Sequence, residues 1–223
     1  MELEFGIVVD RWPDLWDGVK VTLLAFAIAL GIGFPLATLV CAGTLRERGV
    51  LAALARGYVT VFRTIPEIVL IFWMFYCLPP LVGVRPTPTI GILFGSLALA
   101  LVAGAYLAEI FRAGVQSVGR GQWEAAGALA LPRRTVWTRV VIPQATRLCV
   151  PPFINFLTEL LKGTTLLATV GVADLALKAY VLGSQTFRYL EFLTAIAVIY
   201  FVIIFPLARL AEHVERRLAV GTR

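Results

Sequence analysis

The sequence has few charged residues, a single histidine and only three cysteines. Only 15% of its 223 residues are charged, whereas 59% are hydrophobic; soluble domains carry about 25% charged residues. It has one histidine, His213, and three cysteines, Cys41, Cys77 and Cys149, which lie in apolar surroundings without CxxC spacing. A metal site, a disulfide framework and a histidine-based proton relay are therefore not expected.

The sequence also lacks two patterns that would carry transport chemistry within one chain. There is no GxxxxGK[ST] phosphate loop, so the chain is not expected to hydrolyse ATP by that route. There is no convincing internal repeat of the kind that builds many secondary transporters. The arginines flank apolar runs instead of forming one basic face, which argues against nucleic-acid binding. We expect a non-catalytic chain without a cofactor of its own.

Long apolar runs account for most of the chain. A helix needs about 20 residues to cross a bilayer, and five runs reach that length, near 19–43, 52–78, 89–113, 140–161 and 190–210. A sixth stretch, 164–183, is interrupted by Gly171, Asp174 and Lys178, which favours a short re-entrant or surface helix. The sequence predicts one all-α integral membrane domain over residues 1–223, with about five transmembrane helices.

The basic residues predict which helix ends face the cytoplasm. Thirteen arginines lie at one set of ends, whereas six arginines and lysines lie at the other. Cytoplasmic loops carry the excess, so the prediction is N-terminus out and C-terminus in, with segment 121–143 in the cytoplasm. Trp12 and Trp16 precede the first run, where an anchor at the outer interface is expected.

Segment 121–143, here called the docking segment, is a polar interruption that reads GQWEAAGALALPRRTVWTRVVIP. Alanine and glycine dominate its first part, which predicts a slim helix. Pro132 is expected to end that helix, because the residue before a proline is pushed out of the helical region. Arg133, Arg134 and Arg139 follow. A slim helix, a stop and an arginine-rich turn predict a surface that enters the groove of a partner protein.

Three pairs of opposite charges occur inside the apolar runs at helical spacing. They are Arg63 with Glu67, Glu109 with Arg112, and Glu159 with Lys162. An ionisable residue within a span costs about 2.5–3.5 kcal/mol on insertion scales, so each one needs a reason. Charges three or four residues apart can neutralise each other on one helix face. We favour that structural explanation for Glu109 with Arg112. Arg63 and Glu67 flank Pro66, and for them a polar turn that lines a cavity is an equally good explanation.

A polar stripe on the fourth predicted helix is the strongest candidate for a substrate pathway. Its asparagine, glutamate and lysine are spaced four and three residues apart, and we expect the helix to end in the Gly/Thr turn that follows. A small zwitterion needs donors for its carboxylate and acceptors for its ammonium group, and this stripe offers both. A purely structural polar network remains the alternative. The candidate residues are Asn155, Glu159, Lys162, Thr164, Thr165, Arg63 and Glu67.

The sequence Glu124-Ala125-Ala126, followed by Ile142-Pro143 eighteen residues on, resembles the EAA loop of permease subunits in bacterial ABC importers. Segments 18–30, 58–79, 105–126 and 141–166 resemble the polar amino-acid branch of that family, so the resemblance covers nearly the whole chain. Two positions depart from the family pattern. Ala130 stands where the loop usually has glycine, which removes backbone freedom, and Gly163 stands where many members have aspartate.

The resemblance implies a type I ABC importer permease fold in the bacterial inner membrane, with a cytoplasmic coupling helix. It implies a separate ATPase subunit that binds ATP and Mg, a second permease copy or paralogue, and an extracytoplasmic solute-binding protein. The substrate would be a polar amino acid or a related small zwitterion, ectoine-like solutes included. A membrane scaffold or sensor that docks a cytoplasmic partner without transport is the alternative function. The implied coupling residues are Gly121, Glu124, Ala125, Ala126, Gly127, Ala130, Leu131, Pro132 and Arg133.

Overall fold

A computed structural model describes residues 4–85 and 87–219, and all regular structure in those ranges is helical. The first half contains α1 (Gly6–Asp10), α2 (Trp12–Thr44), α3 (Val50–Thr64), α4 (Glu67–Phe72), a π-helical segment (Trp73–Cys77), α5 (Leu78–Leu81) and α6 (Pro88–Gln116). The second half contains α7 (Arg120–Ala128), α8 (Arg133–Thr135), a π-helical segment (Val136–Val141), α9 (Ile142–Gly163), a 3-10 helix (Thr164–Val170), α10 (Leu175–Thr186) and α11 (Tyr189–Ala219).

The number of membrane-spanning helices agrees with the sequence prediction. Among the described residues, the stretches long and apolar enough to cross a membrane are Trp12–Thr44, Thr89–Gln116, Arg133–Val170 and Tyr189–Arg216. A fifth span results if α3 and the helix from Glu67 to Leu81 count as one. The all-α prediction with about five transmembrane helices is therefore confirmed, whereas the orientation of the termini stays a prediction.

The second span differs from the continuous apolar run that the sequence predicted. Its two halves, α3 and the helix beginning at Glu67, meet at an angle of 102°. Pro66 causes the bend, because it has no N–H to donate and forces the preceding residue out of the helical region. Ile65 accordingly has an extended ψ of 129°.

The predicted turn after the fourth span also lies elsewhere. The α-helix ends at Gly163, as predicted, but the chain does not turn there and continues as the 3-10 helix to Val170. The chain turns instead at Gly171, whose φ of +79° suits a residue without a Cβ atom. The stretch 164–183 is thus not a span of its own: its first part continues the fourth span to Val170, and its second part belongs to the short helix α10.

The centre of the molecule is the contact between α2 and α6, which small residues make possible. Ala25 and Ala29 of α2 and Ala98 and Ala103 of α6 are buried in one core cluster. A Cβ atom added to Gly33 would lie 2.8 Å from the Cβ atom of Ala103. Close approach of helix backbones through small residues is the usual source of packing energy between membrane helices.

Helix α10 packs against the N-terminal half of α2 through a capped N-terminus. The fully buried Asp174 accepts a hydrogen bond from the Leu177 N–H, and the buried Thr22 hydroxyl accepts one from the Leu175 N–H. Burial raises the pKa of Asp174 to about 6, although backbone N–H groups of α10 act in the opposite direction. The contact is tight, since a Cβ atom on Gly18 would lie 2.8 Å from the Cα atom of Leu175.

Candidate coupling segment and polar face

The docking segment begins with a short helix that ends earlier than the sequence predicted. Helix α7 stops at Ala128, and the N–H groups of Leu129, Ala130 and Leu131 bond back to carbonyls of its last turn. Pro132 does not end this helix, contrary to expectation. It stands at the N-terminus of α8 instead, where its carbonyl accepts hydrogen bonds from two following residues and its missing N–H costs nothing.

The residue that turns the chain is Ala130, one of the two positions that depart from the family pattern. Its φ is +50°, in the left-handed region that glycine usually occupies. For a residue with a Cβ atom this conformation costs about 1–2 kcal/mol. The structure therefore gives a physical reason for the glycine of the family pattern, and the alanine of this chain carries local strain.

One aromatic pair and a small apolar cluster hold α7 against the π-helical segment Val136–Val141, which continues into α9. The rings of Trp123 and Trp137 meet edge to face with centroids 5.6 Å apart. Ala126 is buried against Val136 and Val141 in the same cluster. This aromatic pair was not predicted from the sequence, although the two tryptophans of the docking segment were a visible signal.

The outward surface of the docking segment contains nearly all the residues that the resemblance assigned to coupling. Ala126 is the exception, since it is 4% exposed and faces the chain itself. Leu129 was not predicted, yet it is 72% exposed next to the strained turn. The exposed coupling candidates are Gly121, Glu124, Ala125, Gly127, Ala130, Leu131, Pro132 and Arg133.

A second group of predicted residues lies along α9. Glu159 and Lys162 form an ion pair of 3.0 Å, and their side chains are 68% and 55% exposed. The Asn155 amide lies 3.4 Å from the Glu215 carboxylate of α11. Charged side chains exposed within a span need water or another protein beside them. We call Asn155, Glu159 and Lys162, together with the neighbouring Arg63 and Glu67, the polar face.

Of the two explanations left open for Arg63 and Glu67, the structure does not show the ion pair, because the bend at Pro66 places them in two different helices. The Arg63 guanidinium lies over the ring of Tyr106 instead, 5.1 Å from its centroid. Glu67 points towards α9, where a Cβ atom on Gly163 would lie 3.4 Å from its carboxylate. The carboxylate of Glu159 is close enough to interact electrostatically with that of Glu67.

The two threonines of the candidate pathway are placed differently from the rest of the polar face. Thr164 is fully buried, and its hydroxyl donates to the Leu161 carbonyl. The Thr165 hydroxyl donates to the carbonyl of Lys162. Both hydroxyls therefore satisfy backbone carbonyls within the helix, and Thr164 is not accessible from the polar face in this structure.

Two residues that were not predicted from the sequence, Tyr106 and Glu215, contact members of the polar face. Tyr106 of α6 stacks on Phe156 of α9 with centroids 5.8 Å apart, so it joins the Arg63 side chain to α9. Glu215 lies sixty residues after Asn155 in the chain. As predicted, the side chains of Glu109 and Arg112 form an ion pair on α6.

Comparison with known sequences agrees with the resemblance found in the docking segment. The profile of the family described as binding-protein-dependent transport system inner membrane component matches residues 20–220. The glutamate/aspartate import permease protein GltK of Escherichia coli O6:H1 is 30% identical over 98% of this chain and 99% of its own. The probable glutamine ABC transporter permease protein GlnM of Bacillus subtilis is 32% identical over 97% of this chain and 98% of its own.

Comparison with solved structures agrees with the helical arrangement. An amino acid ABC transporter crystallised with histidines has a TM-score of 0.88 and 31% sequence identity, covering 97% of this chain and 100% of that one. An inward-facing MetNI methionine ABC transporter shares the fold at a TM-score of 0.65 and 21% identity, over 90% of this chain and 94% of that one. The chain therefore belongs to the family of binding-protein-dependent transport system inner membrane components, and it is a multi-pass permease subunit of an ABC transporter.

Proposed function

We propose that this chain forms the translocation pathway of an ATP-driven importer for a polar amino acid or a related small zwitterion. The observation that carries the proposal is the polar face. Arg63, Asn155, Glu159 and Lys162 are exposed on helices that are otherwise built to contact lipid. A second permease copy or paralogue that covers this face would enclose an aqueous path between the two subunits.

The polar face offers both kinds of group that a zwitterion requires. The ammonium group of Lys162 can donate to a carboxylate, whereas the carboxylates of Glu67 and Glu159 can accept from an ammonium group. The curated relatives named for glutamine, glutamate and aspartate support a polar amino acid as the substrate class. Since the polar face carries acidic and basic groups together, a zwitterion suits it better than a simple anion.

The docking segment is proposed to couple this pathway to a separate ATPase subunit. Its exposed residues cluster around α7, and its apolar anchor holds α7 against the helix that continues into α9. A push on α7 would thus reach the polar face along one nearly continuous helix. ATP and Mg would be bound by the partner, and a solute-binding protein outside the bacterial inner membrane would deliver the substrate.

The proposal is tested by the substitution Glu124→Lys in the purified chain with its ATPase subunit. We expect the variant to lose the ATPase in a pull-down, because the new charge lies at the centre of the exposed surface of α7. Gln122→Lys is the control, since it introduces the same lysine side chain on the opposite side of the helix, although it changes the net charge by one unit instead of two. Full retention of the ATPase by Glu124→Lys, or equal loss in both variants, would contradict coupling through this surface.

A further inference from the structure

A charged cavity lies at the end of the α2–α3 hairpin. Its volume is about 530 Å³, and α2, α3 and α6 meet around it. Four arginines and two glutamates line the cavity, so its walls carry an excess of positive charge. These residues are Arg46, Arg56, Arg63, Arg112, Glu47 and Glu109.

The positive charge of this cavity is only partly compensated within the chain. Arg112 is paired with Glu109 and also donates to the Gln116 side chain at 2.6 Å, and Arg63 lies over the Tyr106 ring. Among the described residues, Arg46 and Arg56 have no carboxylate within the 4.0 Å that defines an ion pair. Two guanidinium groups are therefore available to an anion at the mouth of the cavity.

An apolar groove adjoins the cavity on the membrane-facing side of the hairpin. Its volume is about 450 Å³, and Leu39 of α2 and Leu51 and Leu54 of α3 line it. These three leucines are strongly exposed, as expected of side chains in contact with lipid. Arg46 lines both the groove and the cavity, so one arginine marks the point where the apolar and charged parts meet.

We propose that the groove and the cavity together bind one anionic phospholipid. The phosphate would accept hydrogen bonds from Arg46 and Arg56, since the planar guanidinium group matches phosphate geometry. One acyl chain would lie along the leucines of the groove. Helix α3 suits this role, because its buried face packs on the protein through Ala52, Ala55 and Val59 while its other faces are apolar or basic. This site goes beyond the proposed transport function.

The charged half of the site is tested with Arg46→Gln in the full chain. The chain is purified from bilayers containing phosphatidylcholine and phosphatidylglycerol, and the phospholipid retained per chain is measured by mass spectrometry. We expect the variant to retain phosphatidylglycerol about tenfold more weakly, since a charge-assisted contact is lost. Arg48→Gln is the matched control, because Arg48 is exposed in the same loop but lines neither part of the site. Unchanged retention in Arg46→Gln, or equal loss in both variants, would overturn the proposal.

Substitutions in the apolar groove distinguish a bound lipid from a bound soluble anion. We expect Leu54→Ser to weaken phosphatidylglycerol retention, whereas Val61→Ser, on the same helix but outside the groove, should leave it unchanged. Inorganic phosphate added during purification should not displace the lipid, because phosphate has no acyl chain to fill the groove. Displacement by phosphate, together with no effect of Leu54→Ser, would show that the cavity binds a free anion and would overturn the lipid assignment.

Discussion

The docking segment and the polar face are built in opposite ways. The docking segment is local: its helix, its strained turn and its exposed residues lie within about two dozen consecutive positions, and one aromatic pair holds it in place. The polar face is assembled from α3, α4, α6, α9 and α11, which the chain reaches at widely separated positions. A local surface suits a contact that a partner must recognise as a unit, whereas an assembled face can change when helices move.

The largest expected effect concerns the polar face. The substitution Glu159→Gln should lower uptake in reconstituted vesicles about tenfold or more, because a charged hydrogen bond is worth about 1.5–3 kcal/mol. The amount of assembled complex should not change. Glu212→Gln is the matched control, since Glu212 is likewise exposed and forms an ion pair, with Arg209 at 3.1 Å. Equal uptake by wild type and Glu159→Gln would leave the polar face with a structural role only.

A second substitution tests the contact between Glu67 and Gly163. An aspartate at position 163 would place a third carboxylate beside Glu67 and Glu159, and like charges at such short range repel strongly. We expect Gly163→Asp to reduce uptake about tenfold relative to Gly163→Asn, which has the same shape without the charge. Equal uptake by the two variants would show that crowding, and not charge, limits this position.

A smaller effect tests the strained turn of the docking segment. Ala130→Gly should raise the free energy of local opening around the turn by about 1 kcal/mol, because glycine adopts a positive φ without steric cost. Ala125→Gly should lower this free energy by a similar amount, about 0.5–1 kcal/mol, since glycine in a helix interior is destabilising. Hydrogen exchange of the assembled complex measures both. The same sign of change in the two variants would show that the turn at Ala130 is not strained.

A further prediction concerns the pH dependence of stability, through Asp174. Because its pKa rises from 3.8 to about 6 on folding, its contribution is fully present below about pH 4 and is lost as the pH rises through about 6. Asp174→Asn keeps a side-chain oxygen for the helix cap and should remove this dependence. Thermal unfolding of the detergent-solubilised chain between these pH values is the measurement, with Asp14→Asn as the exposed control. A wild-type slope that persists in Asp174→Asn would exclude this carboxyl as its source.

Predictions from the sequence were correct where a feature depends on neighbouring residues, and incomplete where it depends on residues that are distant in the chain. Apolar run lengths predicted the spans, since crossing a bilayer needs a nearly fixed number of residues. The ion pairs of Glu109 with Arg112 and Glu159 with Lys162 were predicted because both pairs lie on uninterrupted helices. The ion pair considered for Arg63 and Glu67, one of two alternatives, does not form, because helical spacing does not apply across the bend at Pro66.

The sequence by itself determined the class of the molecule, the number of its spans and the position of the docking segment. Those properties depend on the energy of apolar side chains in lipid and on short motifs, both of which are local. Only the tertiary structure decided that Ala130 turns the chain, that Tyr106 joins Arg63 to α9, and that Arg46 stands between a charged cavity and an apolar groove. These contacts depend on helix bends and close approaches between distant residues, which no periodicity along the chain records.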